Sequence, residues 1–184
     1  MKTLMLLFAL IGTVRYCSKP KEFNMPAQNT NRQKLELAIQ PDLQSKDSIQ
    51  KILAGKFKES IAAEYNGYKP DSSVMTELRK YWNNAITVKV IGGNWCSDTR
   101  RELPRLCRVL DGVGANADGF GYYKVNKDKQ PLSQDFSAEY PVKKVPSVFV
   151  FSDGKPIGQI IETPSKSWES DLLKLLIPLN RKLR

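Results

Sequence analysis

The chain contains no histidine. That absence excludes Ser-His-Asp and Cys-His catalytic arrangements, His-ligated metal sites and an imidazole general base. Cysteine is scarce as well, with 3 residues at positions 17, 96 and 107. Three cysteines cannot build a disulfide framework, and without histidine they do not complete a usual structural zinc site. No metal and no organic cofactor is expected. Repeats are also missing: the 11 Gly and 11 Pro follow no period, which speaks against fibrous and solenoid classes. What remains is 184 residues, 41% hydrophobic and 26% charged, enough for one compact domain with a core.

The charge is one-sided but spread. Through residue 85 there are 13 basic and 8 acidic residues and beyond it 16 and 11, so each part carries +5. The densest basic spots are Arg100-Arg101 with Arg105 and Arg108, and Arg181-Lys182-Leu183-Arg184. Nucleic-acid binding calls for basic residues clustered among aromatics. An evenly distributed excess reads instead as a solvated basic surface, and no nucleic-acid partner is expected.

The longest apolar run is Leu4–Val14, eleven residues behind Met1-Lys2-Thr3. It is too short to span a bilayer and has the form of a secretory leader. Residues 1–17 are therefore expected to direct export to the periplasm or cell envelope of a bacterium. Cys17 stands where a lipoprotein signal places its lipidated cysteine, and would then tether the protein to the membrane, although Arg15 and Tyr16 are poor neighbours for that cleavage. The plain alternative is a hydrophobic start that is never removed. Residues 18–32 read as a polar linker with Pro20 and Pro26.

Residues 33–84 are expected to form a helical extension. A weak helix falls around 33–39. Ile49, Ile52, Leu53, Phe57 and Ile61 line one face of a helix over 47–64, capped by Ser45 or Asp47. Val74, Leu78, Tyr81 and Trp82 mark a second over 72–84. From residue 85 to 184 the pattern predicts strand 86–91, helix 97–110, strand 119–125, a short helix over 131–140, strands 147–151 and 156–161 joined by Asp153-Gly154, and helix 168–179. The early helical crossovers predict parallel pairing and the Asp-Gly turn an antiparallel edge.

Trp95-Cys96-Ser97-Asp98-Thr99-Arg100 lies where a strand passes into a helix. A thiol there is expected near unpaired backbone N–H groups, which together with the helix dipole favour the thiolate, the reactive form. Arg100 and Arg101 reinforce this charge, and Asp98 partly opposes it. This segment resembles the thioredoxin superfamily. Pro104 falls where those proteins have a helix-kinking proline, and Val145-Pro146-Ser147 with Asp153-Gly154 resembles their cis-proline, strand and turn.

The resemblance covers about residues 85–179. It implies an α/β, thioredoxin-like three-layer α/β/α fold with a mixed sheet, here carrying extra N-terminal helices. It also implies that Pro146 is cis and sits against Cys96. The backbone of Val145 would then be open to an extended substrate segment.

The departures from that family are equally informative. Its usual motif is Cys-x-x-Cys, and here Thr99 takes the place of the second cysteine. A mixed disulfide at Cys96 then needs an external thiol for release. The buried acid six residues before the nucleophile is Val90 here. Cys107 cannot substitute: eleven helical residues separate it from Cys96 by about 16 Å, against a disulfide Cα limit of about 7 Å. With Leu103, Leu106 and Leu110 it marks the core face. Trp95 serves either packing or a flat wall beside the thiol. Thr99 is either a plain helix residue or a hydroxyl donor to a thiolate. Tyr122, Tyr123, Phe149 and Phe151 are expected to fill the core.

Two functions fit. One is monothiol thiol–disulfide exchange on protein or small-molecule disulfides, with Cys96 as nucleophile and Trp95, Ser97, Asp98, Thr99, Val145 and Pro146 around it. The other is a redox-inactive module that binds extended peptides or envelope proteins.

Overall fold

The computed structural model describes residues 58–181. The expected leader, the linker, the helix around 33–39 and the start of helix 47–64 lie outside the described residues. Helix α1 (Lys58–Gly67) ends at Asn66-Gly67, and α2 (Ser72–Tyr81) begins at an Asp71 cap whose carboxylate accepts from the N–H groups of Ser73 and Val74. The expected extension of α2 to residue 84 does not occur, because Trp82 is already extended, with φ −79° and ψ 131°.

Strand β1 (Ile86–Gly92) leads to α3 (Ser97–Val113). This helix runs past the expected end at 110, since Gly114 is the residue that takes the left-handed cap, with φ 71°. After a 3₁₀ turn come β2 (Phe120–Lys124), α4 (Phe136–Glu139), β3 (Ser147–Ser152), β4 (Lys155–Ile161) and α5 (Trp168–Arg181). Asp153 and Gly154 both have positive φ, 50° and 71°, as the tight hairpin between β3 and β4 requires.

The four strands form one mixed sheet in the order β2-β1-β3-β4. β1 and β2 are parallel, joined through α3. β3 is antiparallel to β1, which corrects the parallel pairing expected from the second crossover. The helix expected over 131–140 is only the four residues of α4, because Pro131 bridges to Val125 and the Leu132 N–H donates to the Lys124 carbonyl, holding that stretch extended. A helix that short rises about 6 Å, while β2 is about 16 Å long. It does not carry the chain back along the sheet, so β3 enters from the end that β2 has just left.

Each face of the sheet has its own core. On one, Val88, Val90, Tyr122, Val148 and Val150 pack under Leu103, Leu106, Cys107 and Leu110 of α3, Trp168, Leu172 and Leu176 of α5, and Met75 and Leu78 of α2. On the other, Ile91, Tyr123, Phe149 and Phe151 pack with Val145 and with Phe136 of α4. Tyr122 and Tyr123 are therefore both buried, but on opposite faces, as adjacent strand residues must be. The Lys89 ammonium lies 4.7 Å from the Phe136 ring centroid and 5.5 Å from that of Phe151, at cation–π range.

Polar latches hold α1 and α2 to the rest. Buried Glu102 accepts from the Trp168 indole at 2.9 Å and from Arg101 at 2.7 Å. Arg105 reaches Glu64 of α1 at 2.7 Å. The Tyr65 hydroxyl donates to Asp111. Buried Glu169 accepts from the Tyr68 hydroxyl at 2.7 Å and the Asp71 N–H at 3.1 Å. Most of the basic cluster on α3 is thus engaged within the fold, with Arg101 on Asp98 and Glu102, and Arg108 over the Tyr65 ring.

Burial pushes the Glu169 carboxyl up, but its hydrogen bonds outweigh that and hold it below the usual carboxylate range. The folded state therefore favours the ionised form, whose contribution is present at neutral pH and lost as pH falls through the lowered value. Glu169→Gln is expected to cost about 1–3 kcal/mol at neutral pH and to flatten the acid limb of the stability profile. Urea unfolding across an acid-to-neutral pH series measures both.

Candidate functional site

The site forms where β1 ends. A Cβ on Gly92 would lie 2.9 Å from both Thr99 Cγ2 and Tyr122 Cε2, so only glycine lets the first turn of α3 close against the strand end. Trp95 folds back over Gly93 and donates its indole N–H to the Val125 carbonyl at 3.0 Å. Its ring is half-buried, packed on the second core cluster, and the Lys129 ammonium lies 5.9 Å from its centroid. The Cys96 N–H closes a turn onto the Gly93 carbonyl at 2.9 Å, and the Cys96 carbonyl receives the helical N–H of Arg100 at 3.1 Å.

Cys96 is the N-cap of α3, with φ −84° and ψ 126°. Its sulfur makes no cap hydrogen bond. The S–H instead donates to the Val145 carbonyl, with sulfur 3.3 Å from the oxygen. The reason is chemical: a neutral thiol is a weak acceptor, but it has a hydrogen to give, and a carbonyl is the better partner. The Val145–Pro146 peptide bond is cis. Both residues are buried, and the Pro146 carbonyl is tied to the Glu162 N–H at 2.7 Å.

The remaining residues divide by exposure. Ser97 is exposed, and Asp98 pairs with Arg101 at 2.9 Å. Thr99 is only 2% exposed, and its hydroxyl oxygen has no hydrogen-bond partner among the described residues. Arg100 donates to the Asn94 carbonyl at 3.1 Å. Cys96 and Cys107 are both free thiols, but Cys107 is enclosed in the core, and burial pushes its ionisation well up. It is a packing group.

Tyr122 gave the sequence reading only a core residue. It pairs with Val90 in register, and its hydroxyl donates to Asn94 Oδ1 at 3.1 Å. Burial, with a smaller contribution from the charge of Cys96, raises its ionisation, so it stays a phenol. Strand register brings it under the site, and register is not written in either strand alone. Among the described residues, no group of three or more His, Cys, Asp or Glu side chains is arranged to hold a metal ion. No helix among them is long and apolar enough to cross a membrane.

No family model and no curated protein matches the chain. Among solved structures it is similar to a protein of unknown function from Pseudomonas aeruginosa, at 13% identity and TM-score 0.54, covering 75% of this chain and 94% of that one. It is also similar to a mutant thioredoxin from Halobacterium salinarum, at 17% identity and TM-score 0.34, covering 59% and 83%. Mitochondrial thioredoxin 3 from Saccharomyces cerevisiae matches at 23% identity and TM-score 0.34, covering 55% and 87%. The fold is α/β and thioredoxin-like: a mixed four-stranded sheet between helices, with a cysteine at the start of α3 and a cis-proline before β3.

Gly92→Ala is expected to destabilise the fold by about 1–3 kcal/mol, since the new methyl meets a helix side chain and an anchored ring rather than a flexible tip. Chemical denaturation, compared with Gly67→Ala, where a Cβ meets nothing within 4 Å, separates the clash from a general glycine effect.

Proposed function

We propose that this protein is a monothiol thiol–disulfide exchange protein that acts through Cys96. The observation that carries the reading is the partly exposed Cys96 sulfur at a helix start, 3.3 Å from the carbonyl that precedes a cis-proline. The ionised sulfur attacks one sulfur of a disulfide and forms a new S–S bond. The other substrate sulfur leaves as a thiolate and takes a proton. An external thiolate then attacks the substrate sulfur of the mixed disulfide, and Cys96 departs reduced. Electrons balance over the cycle and the protein is unchanged, which suits isomerisation or deglutathionylation better than net reduction.

The substrates are protein or small-molecule disulfides, and the Val145 backbone is the edge along which an extended segment pairs. Ser97, Asp98 and Trp95 form the rim. The protein works in the cell envelope after export, tethered through a lipidated Cys17, and contributes to redox homeostasis there. The leader and the polar linker of the sequence support this placement.

A second reading has its own observation. The thiol hydrogen already has a partner in the Val145 carbonyl, and the sulfur takes no helix N–H. That arrangement also suits a redox-inactive module that holds extended peptides.

Incubation with glutathione disulfide decides between them. The intact protein is expected to gain one glutathione at Cys96 by peptide mass spectrometry. Cys96→Ser loses that adduct. Cys107→Ser keeps it while losing about 1–3 kcal/mol of stability, the cost of a hydroxyl in an apolar site. No adduct at a Cys96 that iodoacetamide still alkylates overturns exchange in favour of the binding module.

A further inference from the structure

The side chain of Thr99 is 2% exposed, and its Oγ1 has no hydrogen-bond partner among the described residues. A buried hydroxyl left unpaired opposes folding, so its presence calls for a state in which it is paired. Cys96 is the N-cap of α3 and Thr99 its third helical residue. Side chains at the N-cap and the third helical position reach toward each other across the first turn, as in a capping box. The methyl of Thr99 is the group set against Gly92, which leaves the hydroxyl on another side of the Cβ.

The sulfur has no need of a donor while it carries its hydrogen, because its S–H is directed to the Val145 carbonyl. Ionisation reverses that contact. The sulfur becomes an acceptor facing a carbonyl oxygen, and the two repel. The sulfur must then turn about its own Cα–Cβ bond toward a donor. The Tyr122 hydroxyl is committed to Asn94 and Ser97 is exposed to solvent, so beside the backbone N–H groups of the first turn of α3 the Thr99 hydroxyl is the side-chain donor at hand.

We infer that Thr99 is the positioning residue of the ionised Cys96 sulfur, its hydroxyl donating to the thiolate once the S–H bond to Val145 is lost. The inference rests on the reading of Cys96 as the working thiol. It makes the single-cysteine motif a two-position device, in which the sulfur is parked on Val145 as a thiol and held by Thr99 as a thiolate. The other ionisable groups on the elements that meet at the site are common to every comparison below. They are Asp98, Arg100 and Arg101 on α3, Tyr122 on β2, Lys129 beside Trp95, and Lys144, paired with Glu162, just before Val145.

The test compares the full chain with Thr99→Val, which keeps the shape and removes the hydroxyl, and with Thr99→Ser, which restores it. Iodoacetamide alkylation at Cys96 is followed by peptide mass spectrometry at neutral pH and at a pH where every thiol is ionised. Thr99→Val is expected to slow alkylation about tenfold at neutral pH, the scale of a hydrogen bond to a charged group, and not at alkaline pH. Thr99→Ser recovers the neutral-pH rate, and Thr99→Val melts no lower than the parent.

An unchanged neutral-pH rate in Thr99→Val, or equal slowing at both pH values, overturns the inference. A lower melting temperature in Thr99→Val does so too, because it means the hydroxyl already has a partner in the thiol state. Iodoacetamide reads the thiolate without any disulfide. A Thr99 effect with no glutathione adduct therefore sinks the exchange reading and leaves this one standing, and an adduct without a Thr99 effect does the reverse.

Discussion

The site depends on one constraint, the antiparallel pairing of β3 with β1. In that register Ile91, near the end of β1, lies opposite Ser147, the first residue of β3. The chain leaving β1 toward Cys96 and the chain arriving through Val145–Pro146 therefore meet at one end of the two central strands. A parallel β3 would place Pro146 at the opposite end of the strands, about 20 Å away, and the sulfur would have no carbonyl to meet. The parallel partner β2 contributes from the other side. Val125 follows it, takes its N–H to the Gly92 carbonyl and offers its own carbonyl to Trp95. β1 is thus anchored along both sides, and the end that carries Cys96 inherits that rigidity.

The two faces of the sheet do different work. The face under α3 and α5 holds the larger apolar cluster and adds a polar seam in Glu102, Trp168, Glu169 and Tyr68. Those carboxylates are buried but not stranded, since each accepts at least two hydrogen bonds. The same seam ties the α1–α2 segment to α5, and Arg105 with Glu64 and Tyr65 with Asp111 tie α1 to the helix whose first residues surround the thiol. The opposite face is covered by the short α4 and a cluster of rings, and Lys89 lies over two of them.

Legibility of the fold followed the range of the forces involved. The β-branched run Ile86–Ile91, the Asp153-Gly154 turn and the leucines of α3 and α5 are local signals, and the elements stand where those signals put them, to within a few residues. The errors fell where a distant partner overruled a local preference. Pro131 and Leu132 are tied to Val125 and Lys124, which keeps the start of that segment out of a helix, shortens α4 and with it reverses the direction of β3. The direction of the Cys96 S–H was not readable from the helix start for the same reason. A helix start points to N–H groups, but the Val145 carbonyl, 49 residues away in the chain, takes the hydrogen. Tyr122 and Asn94 carried no local mark of belonging to the site.

By itself the sequence determined which chemistry is open to this protein. Without histidine, and with Cys107 on an apolar helical face, one thiol at a strand-to-helix turn is left as the candidate for thiol chemistry in residues 85–184. Residue type and short-range periodicity suffice for that, because both act within a few positions of the chain. Tertiary structure decided how the thiol's surroundings are held, which the resemblance suggested for Val145 and Pro146 and nothing suggested for Tyr122. Val145 reaches it through strand direction, Tyr122 through strand register, and Thr99 is sealed in by Gly92 and the first turn of α3. These are contacts between segments far apart in the chain or across a packed junction, and they exist only once the sheet has chosen its order.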